Sequence, residues 1–269
     1  MIYILSTRIT KSLIKTYDNM HKNSDVVVVL DAVPKCTNES HLIIEYVNHE
    51  TLKKNGFTHV GRASKFTTCA YAYAIYLASK SNDEYSWFVE DDVVFSSCNT
   101  IAEIDQNVKA DLVCRNHFHI TQSLDWFYWV EATHESPFEK KNLHRSLQCV
   151  SRCSKRLLEE VTKLATSQKR LFFVEYLFNS ICAENNFLVV NALCMKNIYY
   201  KVRRPVILHK HAIHHPIKDE NERLNFLQNQ TSYTGDVKVA YMKHDYMDIS
   251  HDEIMSKLFV NMLRRFSSI

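Results

Sequence analysis

Glycine is almost missing from this chain: it occurs only at Gly56, Gly61 and Gly235 in 269 residues. A phosphate-cradling loop of the P-loop or GxGxxG kind needs several glycines in one turn, so both are excluded. A phosphorylated ligand would instead have to be held by a metal ion and basic side chains. No apolar run reaches the ~18 residues that cross a bilayer. The start, Met1-Ile2-Tyr3-Ile4-Leu5-Ser6, lacks the positive flank and long apolar region of an export signal and reads as a first strand. There are eight cysteines but no CxxC pair, Cys149 and Cys153 being the closest together. This usage points to reduced, mostly buried thiols, a cytoplasmic compartment and no zinc site. A net charge of +3 is too small to mark a nucleic-acid-binding protein, although residues 196–218 are locally basic and rich in histidine.

What is present is an ordinary globular composition, 46% hydrophobic and 23% charged, with length for one large core. Short apolar runs alternate with amphipathic segments, the signature of stacked βα units and a largely parallel sheet. Strands are expected at 1–7, 25–31 and 111–114, and helices at 9–19, 38–54 with Gly56 as its stop, 66–80 and 154–166. Thr100-Ile101-Ala102-Glu103 and Ser250-His251-Asp252-Glu253 both read as capping boxes. The second opens a helix whose stripe of Ile254, Met255, Leu258, Phe259, Met262, Leu263 and Phe266 suits core packing or a homodimer seam better than a membrane surface.

Residues 85–95 are the centre of the pattern: Glu90, Asp91 and Asp92 interrupt a strand-forming run, Tyr85 to Val89 before them and Val93 to Phe95 after. Carboxylates at the end of a buried strand need compensation. A basic partner or a helix N-terminus would supply it, as would a divalent cation held by oxygen ligands. Asp31 ends the second strand, where open α/β sheets bind ligands, and is equally suited to capping the turn that follows. Arg62 and Lys65 precede a helix start, which suits a phosphate or plain solvation. Glu175 lies inside a largely apolar segment, where a buried acid without a partner would have a raised pKa and suit a general base; a distant arginine partner is the alternative. Residues 115–142 read as a long connection rich in aromatics, Trp126, Phe127, Tyr128 and Trp129 among them. Their flat faces fit a carbohydrate, or a core beneath a loop. His209, His211, His214 and His215 crowd the end of a further apolar run, and imidazole joins carboxylates readily around manganese-class metals.

In this order, from the terminal βα unit and Asp31 through Trp87-Phe88-Val89-Glu90-Asp91-Asp92-Val93 to Glu175 and His215-Pro216-Ile217-Lys218, the chain resembles the GT-A-fold glycosyltransferases. It looks most like the small single-domain enzymes of large DNA viruses and bacteria; a viral member would work in the host cytoplasm. The likeness covers roughly residues 1–220, with 221–269 expected as a helical extension packed on the same domain. Its most specific element matches the family's metal-binding DxD-type motif, with Glu90 in place of the first Asp.

The resemblance implies an α/β fold with a mixed, mainly parallel sheet flanked by helices. Asp92, with Glu90 or Asp91, and His215 would hold Mn²⁺ or Mg²⁺ on the diphosphate of a UDP- or GDP-sugar, with His211 and His214 competing for the histidine's role. Asp31, Arg62, Lys65, Asp91 and Lys218 would contact the donor, and Glu175 would be the base. Trp126, Tyr128 and Trp129 would line the side of the glycan or glycoprotein acceptor. Two other readings share these features: a non-catalytic relative that binds a sugar nucleotide or a partner, and a sugar nucleotidylyltransferase. The second needs a glycine-rich loop where this chain has Ser6-Thr7-Arg8-Ile9-Thr10.

Overall fold

A computed structural model describes residues 1–32, 41–59, 69–200, 210–235 and 237–244. Its main sheet has eight strands in the order β11-β8-β6-β7-β4-β1-β2-β3. They are β1 (Ile2–Ser6), β2 (Val26–Leu30), β3 (Ile44–Tyr46), β4 (Tyr85–Glu90), β6 (Leu112–His119), β7 (His144–Ser154), β8 (Val189–Ala192) and β11 (Val239–Met242). β1 pairs in parallel with β2 and β4, as do β2 with β3 and β6 with β8; β7 runs antiparallel to both β4 and β6, and β11 antiparallel to β8. The fold is therefore α/β, with a mixed and mainly parallel sheet, as the alternation of runs predicts. A smaller sheet, in the order β5-β10-β9, joins β5 (Val94–Phe95), β10 (Ile213–His215) and β9 (Asn197–Ile198).

Successive strand residues point to opposite faces of a sheet, and here both faces are covered. Tyr3, Leu5, Val29, Phe88, Leu112 and Cys114 enter one core, with α3 (Cys69–Lys80), α6 (Lys155–Gln168) and α7 (Val174–Glu184) packed on it. Ile2, Ile4, Val28, Trp87, Val89 and Val113 enter the other, beneath α1 (Lys11–His21) and α4 (Thr100–Asn107). Burial of each such aliphatic or aromatic side chain contributes roughly 1.5–3 kcal/mol, which is why the runs of β-branched and aromatic residues lie between the helix layers. The helix ends have local causes. Thr10 and Ser154 accept hydrogen bonds from the backbone N–H groups of Leu13 and Leu157, capping α1 and α6. Gly56 closes α2 (His49–Asn55) at φ +78°, a conformation that costs glycine little.

Several expectations are corrected. Residues 44–46, expected in a helix, form β3 instead; the helical segment begins only at His49, where Asn48 caps it through the Thr51 N–H. Thr100 is not a cap but the first residue of α4, and its hydroxyl donates to the Ser97 carbonyl. The span 115–142 is not one loop: β6 runs on to His119, and α5 (Trp129–Glu135) follows. Nor is 221–269 simply a helical extension. After α8 (Glu220–Gln228), which Glu220 fastens to the Ser12 backbone of α1, the chain adds β11 to the edge of the main sheet. The C-terminal stripe from Ile254 to Phe266, with Arg62 and Lys65, lies outside the described residues.

Candidate functional site

The parallel register sets the site. Leu5 pairs with Glu90, so β1 and β4 end together, and the Asp91 N–H continues the ladder to the Leu5 carbonyl at 3.1 Å. Beyond this edge is a cavity of about 390 Å³, whose wall includes Ser6, Glu90, Asp91, Asp92, Glu175, His215 and Lys218. Antiparallel β7 supplies the floor: Val89 pairs with Val150, so Cys149 and Gln148 come level with the acids one step further along.

The three acids separate by alternation. Asp91 turns towards β1, where its Oδ2 accepts from the Ser6 hydroxyl, and burial raises its pKa. Glu90 and Asp92 share one histidine: His215 Nε2 is 3.3 Å from Glu90 Oε2 and 3.2 Å from Asp92 Oδ1. Lys218 takes the other Asp92 oxygen. The small sheet brings these partners across more than a hundred residues. β10 lies against β5, just beyond the acids, and the Ile217 N–H donates to the Asp92 carbonyl at 3.0 Å. Burial alone would raise the Asp92 pKa, but His215 and then Lys218 outweigh it and hold the carboxyl at about 2. Burial would likewise lower that of His215, yet hydrogen bonds and charge from Asp92 and Glu90 lift it to about 9.

The other histidines are turned elsewhere. His211 is fully buried with Nδ1 3.2 Å from the Thr100 hydroxyl, and His214 Nε2 is 3.1 Å from that of Ser96. Burial also lowers the His214 pKa to about 4. His209 lies outside the described residues.

The donor set fits a divalent cation. His215 Nδ1 is 2.9 Å from the Tyr199 carbonyl, so its N–H donates there, and Nε2, protonated between the two carboxylates, is the nitrogen that would exchange its proton for a cation. Around an octahedral ion with bonds of about 2.1 Å, neighbouring ligand atoms stand about 3 Å apart, close to the separations here. Cys149 Sγ also falls within 4.8 Å of the Glu90 and His215 donors. Burial and the nearby Glu90, Glu175 and Asp92 push that thiol well above its ordinary value, which leaves it a poor ligand at neutral pH.

Glu175 stands in the first turn of α7 and lines the same cavity. Burial raises its carboxyl to about 8 despite the opposing pull of Arg145, and the Glu90 charge adds to the rise. Arg145 is held over the Trp126 ring, 5.2 Å from its centroid, and Trp126 stacks on Phe173 at 6.0 Å. Tyr128, Phe173 and the exposed Tyr200 form the aromatic side of the cavity, whereas Trp126 stacks on Phe173 without being part of the cavity lining. Trp129 does not line it. That ring is 0% exposed and donates its N–H to the Ser123 carbonyl at 2.8 Å, so it packs beneath the aromatic wall as core.

Asp31 follows β2, with its N–H on the Ser6 carbonyl, and its Oδ2 accepts from the Cys69 N–H at the start of α3 at 2.9 Å. This contact is to a helix start 38 residues on, not to the turn that follows β2. Ser6, Tyr71, Gln148, Cys149 and Phe173 were not singled out from the sequence. Four sit in ordinary strand or helix patterns and Phe173 just before α7, and only the β1–β4 and β4–β7 registers and the packing of α3 and α7 bring them to the acids.

No protein-family model matches the chain, and no curated protein matches it. Among solved structures it is similar to the galactosyltransferase LgtC in complex with donor and acceptor sugar analogues, at 8% identity over 87% of this chain and 98% of that one, with a TM-score of 0.46. It is also similar to an active-site mutant of LgtC, at 9% identity over 97% of this chain and 96% of that one, with a TM-score of 0.41.

Proposed function

We propose that the chain is a metal-dependent GT-A-type glycosyltransferase that moves a sugar from a UDP- or GDP-sugar to a hydroxyl of a glycan or protein-linked acceptor, with inversion. The observation that carries this reading is the convergence of Glu90, Asp92 and His215 Nε2 in the cavity that also holds Glu175. Glu90, Asp92 and His215 are the residues for Mn²⁺ or Mg²⁺, which when bound would neutralise charge gathering on a departing diphosphate. Lys218, paired with Asp92, is placed to follow that charge, and Asp91, held by Ser6, orders the strand end. Asp31, Arg62 and Lys65 are proposed on the nucleoside side.

Glu175 in its carboxylate form would take the proton of the acceptor hydroxyl as that oxygen bonds to the anomeric carbon. The bond from the anomeric carbon to the diphosphate breaks in the same step, and the nucleoside diphosphate leaves with the electron pair. A pKa of about 8 makes the Glu175 carboxylate a stronger base than an ordinary one, its share growing as pH rises towards 8. Trp126 and Tyr128 form the acceptor side with Phe173, whose ring centroid is 4.8 Å from that of Tyr128.

The test is a thermal-shift screen against UDP, GDP, CMP and their common sugar conjugates, with and without Mn²⁺. A ligand that binds only the folded state raises the midpoint, so a metal-dependent rise with UDP or GDP is the expected result. No rise with any nucleotide would overturn the assignment.

A further inference from the structure

Arg223 is 5% exposed and reaches the acidic turn at the end of β4, yet its ion pair is with Glu220 of its own helix. Its Nη2 donates to Glu220 Oε2 at 2.8 Å, while Nη1 donates to the main-chain carbonyl of Asp91 at 3.1 Å. That carbonyl belongs to the peptide joining Asp91 to Asp92. A peptide group is planar, so holding its oxygen also holds the Asp92 N–H and the plane from which the Asp92 side chain departs.

Three further bonds fix the same turn. The Asp91 N–H donates to the Leu5 carbonyl and the Val93 N–H to the Glu90 carbonyl, both at 3.1 Å, and the Ile217 N–H donates to the Asp92 carbonyl at 3.0 Å. All three run from main chain to main chain. Arg223 supplies the one bond of these four that comes from a side chain, and hence the one that a substitution can remove while the backbone pairing stays.

The guanidinium is itself anchored. Glu220 Oε1 accepts from the Ser12 N–H at 2.8 Å and Oε2 from the Ser12 hydroxyl at 3.1 Å, and Ser12 is 1% exposed in the first turn of α1. A relay therefore runs from α1 through Glu220 and Arg223 to the Asp91–Asp92 peptide. Arginine suits it because the donors of a planar guanidinium stand in a fixed fork and bond two oxygens at once, whereas a lysine ammonium is a single mobile point.

We infer that Arg223 is a positioning residue for the cation site: it sets the Asp91–Asp92 peptide so that the Asp92 carboxylate meets His215, and Glu220 holds it in place. The inference rests on the metal-dependent reading above and deepens it. It makes Mn²⁺ affinity depend on α8, a helix that follows the last proposed ligand in the chain. Groups that orient the ligands of a metal typically govern its affinity by about 10- to 100-fold.

Mn²⁺ binding tests it, followed by the electron paramagnetic resonance of the free ion with UDP or GDP present, in wild type, Arg223→Met, Arg223→Lys and Glu220→Gln. Arg223→Met keeps the length of the stem but not the fork, and should bind Mn²⁺ about 10- to 100-fold more weakly. Arg223→Lys keeps the charge but not the fork, so it should recover only part of that loss; full recovery would make the effect one of charge and overturn positioning. Glu220→Gln loosens the anchor, should weaken binding by a smaller factor, and carries the test if neither Arg223 variant folds. Arg156→Met is the control for general loosening, because it breaks the ion pair with buried Asp111 outside the cavity and should bind Mn²⁺ as wild type does. An equal loss of affinity in that control would overturn the inference. So would wild-type affinity in Arg223→Met, or in Glu220→Gln should it stand alone. If wild type takes up no Mn²⁺ with either nucleotide, the metal-dependent reading falls first.

Discussion

Two buried clusters hold histidines that are driven in opposite directions. His215, 8% exposed, stands between Glu90 and Asp92 and is lifted to about 9; His117, 2% exposed, stands among Asn179, His144 and His244 and is pushed down to about 2. Burial lowers both. Carboxylates reverse its effect at the first site, whereas at the second the neighbouring imidazoles reinforce it. Depth of burial therefore does not decide what a histidine does; the charge of its neighbours does. The first cluster gathers opposite charges that can rearrange around a cation. The second is tied by hydrogen bonds running from Asn179 through His117 to His244, and what it fixes is orientation.

The largest effect should come from breaking the charged cluster. Asp92→Ala removes the carboxylate that both His215 and Lys218 contact, and transfer should fall by at least about 10²- to 10³-fold, with circular dichroism unchanged. Full activity in that variant would end the proposal. Glu175→Gln keeps the shape of the side chain but not its base, so kcat should drop by about 10²- to 10⁴-fold with donor affinity nearly unchanged. Equal losses in both would make Glu175 a positioning residue instead.

The pH profile sharpens the same point. Because Glu175 acts as the carboxylate and its pKa is raised to about 8, kcat should climb with pH and level off above about 8. The residual rate of Glu175→Gln should lack that rise; if the variant keeps it, another group is titrating. The smallest effect belongs to the second cluster. His117→Phe leaves the Asn179 amide unpaired on one side and should cost about 1–3 kcal/mol of stability in urea unfolding. A variant as stable as wild type would show that the chain is not a structural constraint.

Much of the frame was legible in the residues. The β-branched run at 26–30 forms a strand covered on both faces, the acidic triplet closes β4, and the amphipathic segment after Ser154 becomes α6. The failures occurred where long-range pairing overrode local pattern. Ile44-Glu45-Tyr46 sits beside a helix signal, yet the open edge of β2 recruits it as β3. The stretch after Arg115 has weak periodicity because Asn116 takes φ +68° and the β6–β7 register shifts there, which breaks the alternation that would mark a strand.

By itself the sequence determined most of the elements, the helix stop at Gly56 and the presence of three acids at a strand end, because these depend on repeats of 2 and 3.6 residues and on local backbone preference. It could not choose among His211, His214 and His215, or between Asp91 and Asp92. The tertiary structure separates them, because β10 docks on β5 in a single register: His215 meets Glu90 and Asp92, while Asp91 turns to Ser6. It also decided that Gln148 faces the acids, since the antiparallel β4–β7 pairing, not anything near residue 148 in the chain, sets its neighbours. Contacts such as Lys218 to Asp92, 126 residues apart, exist only once the order of strands is settled.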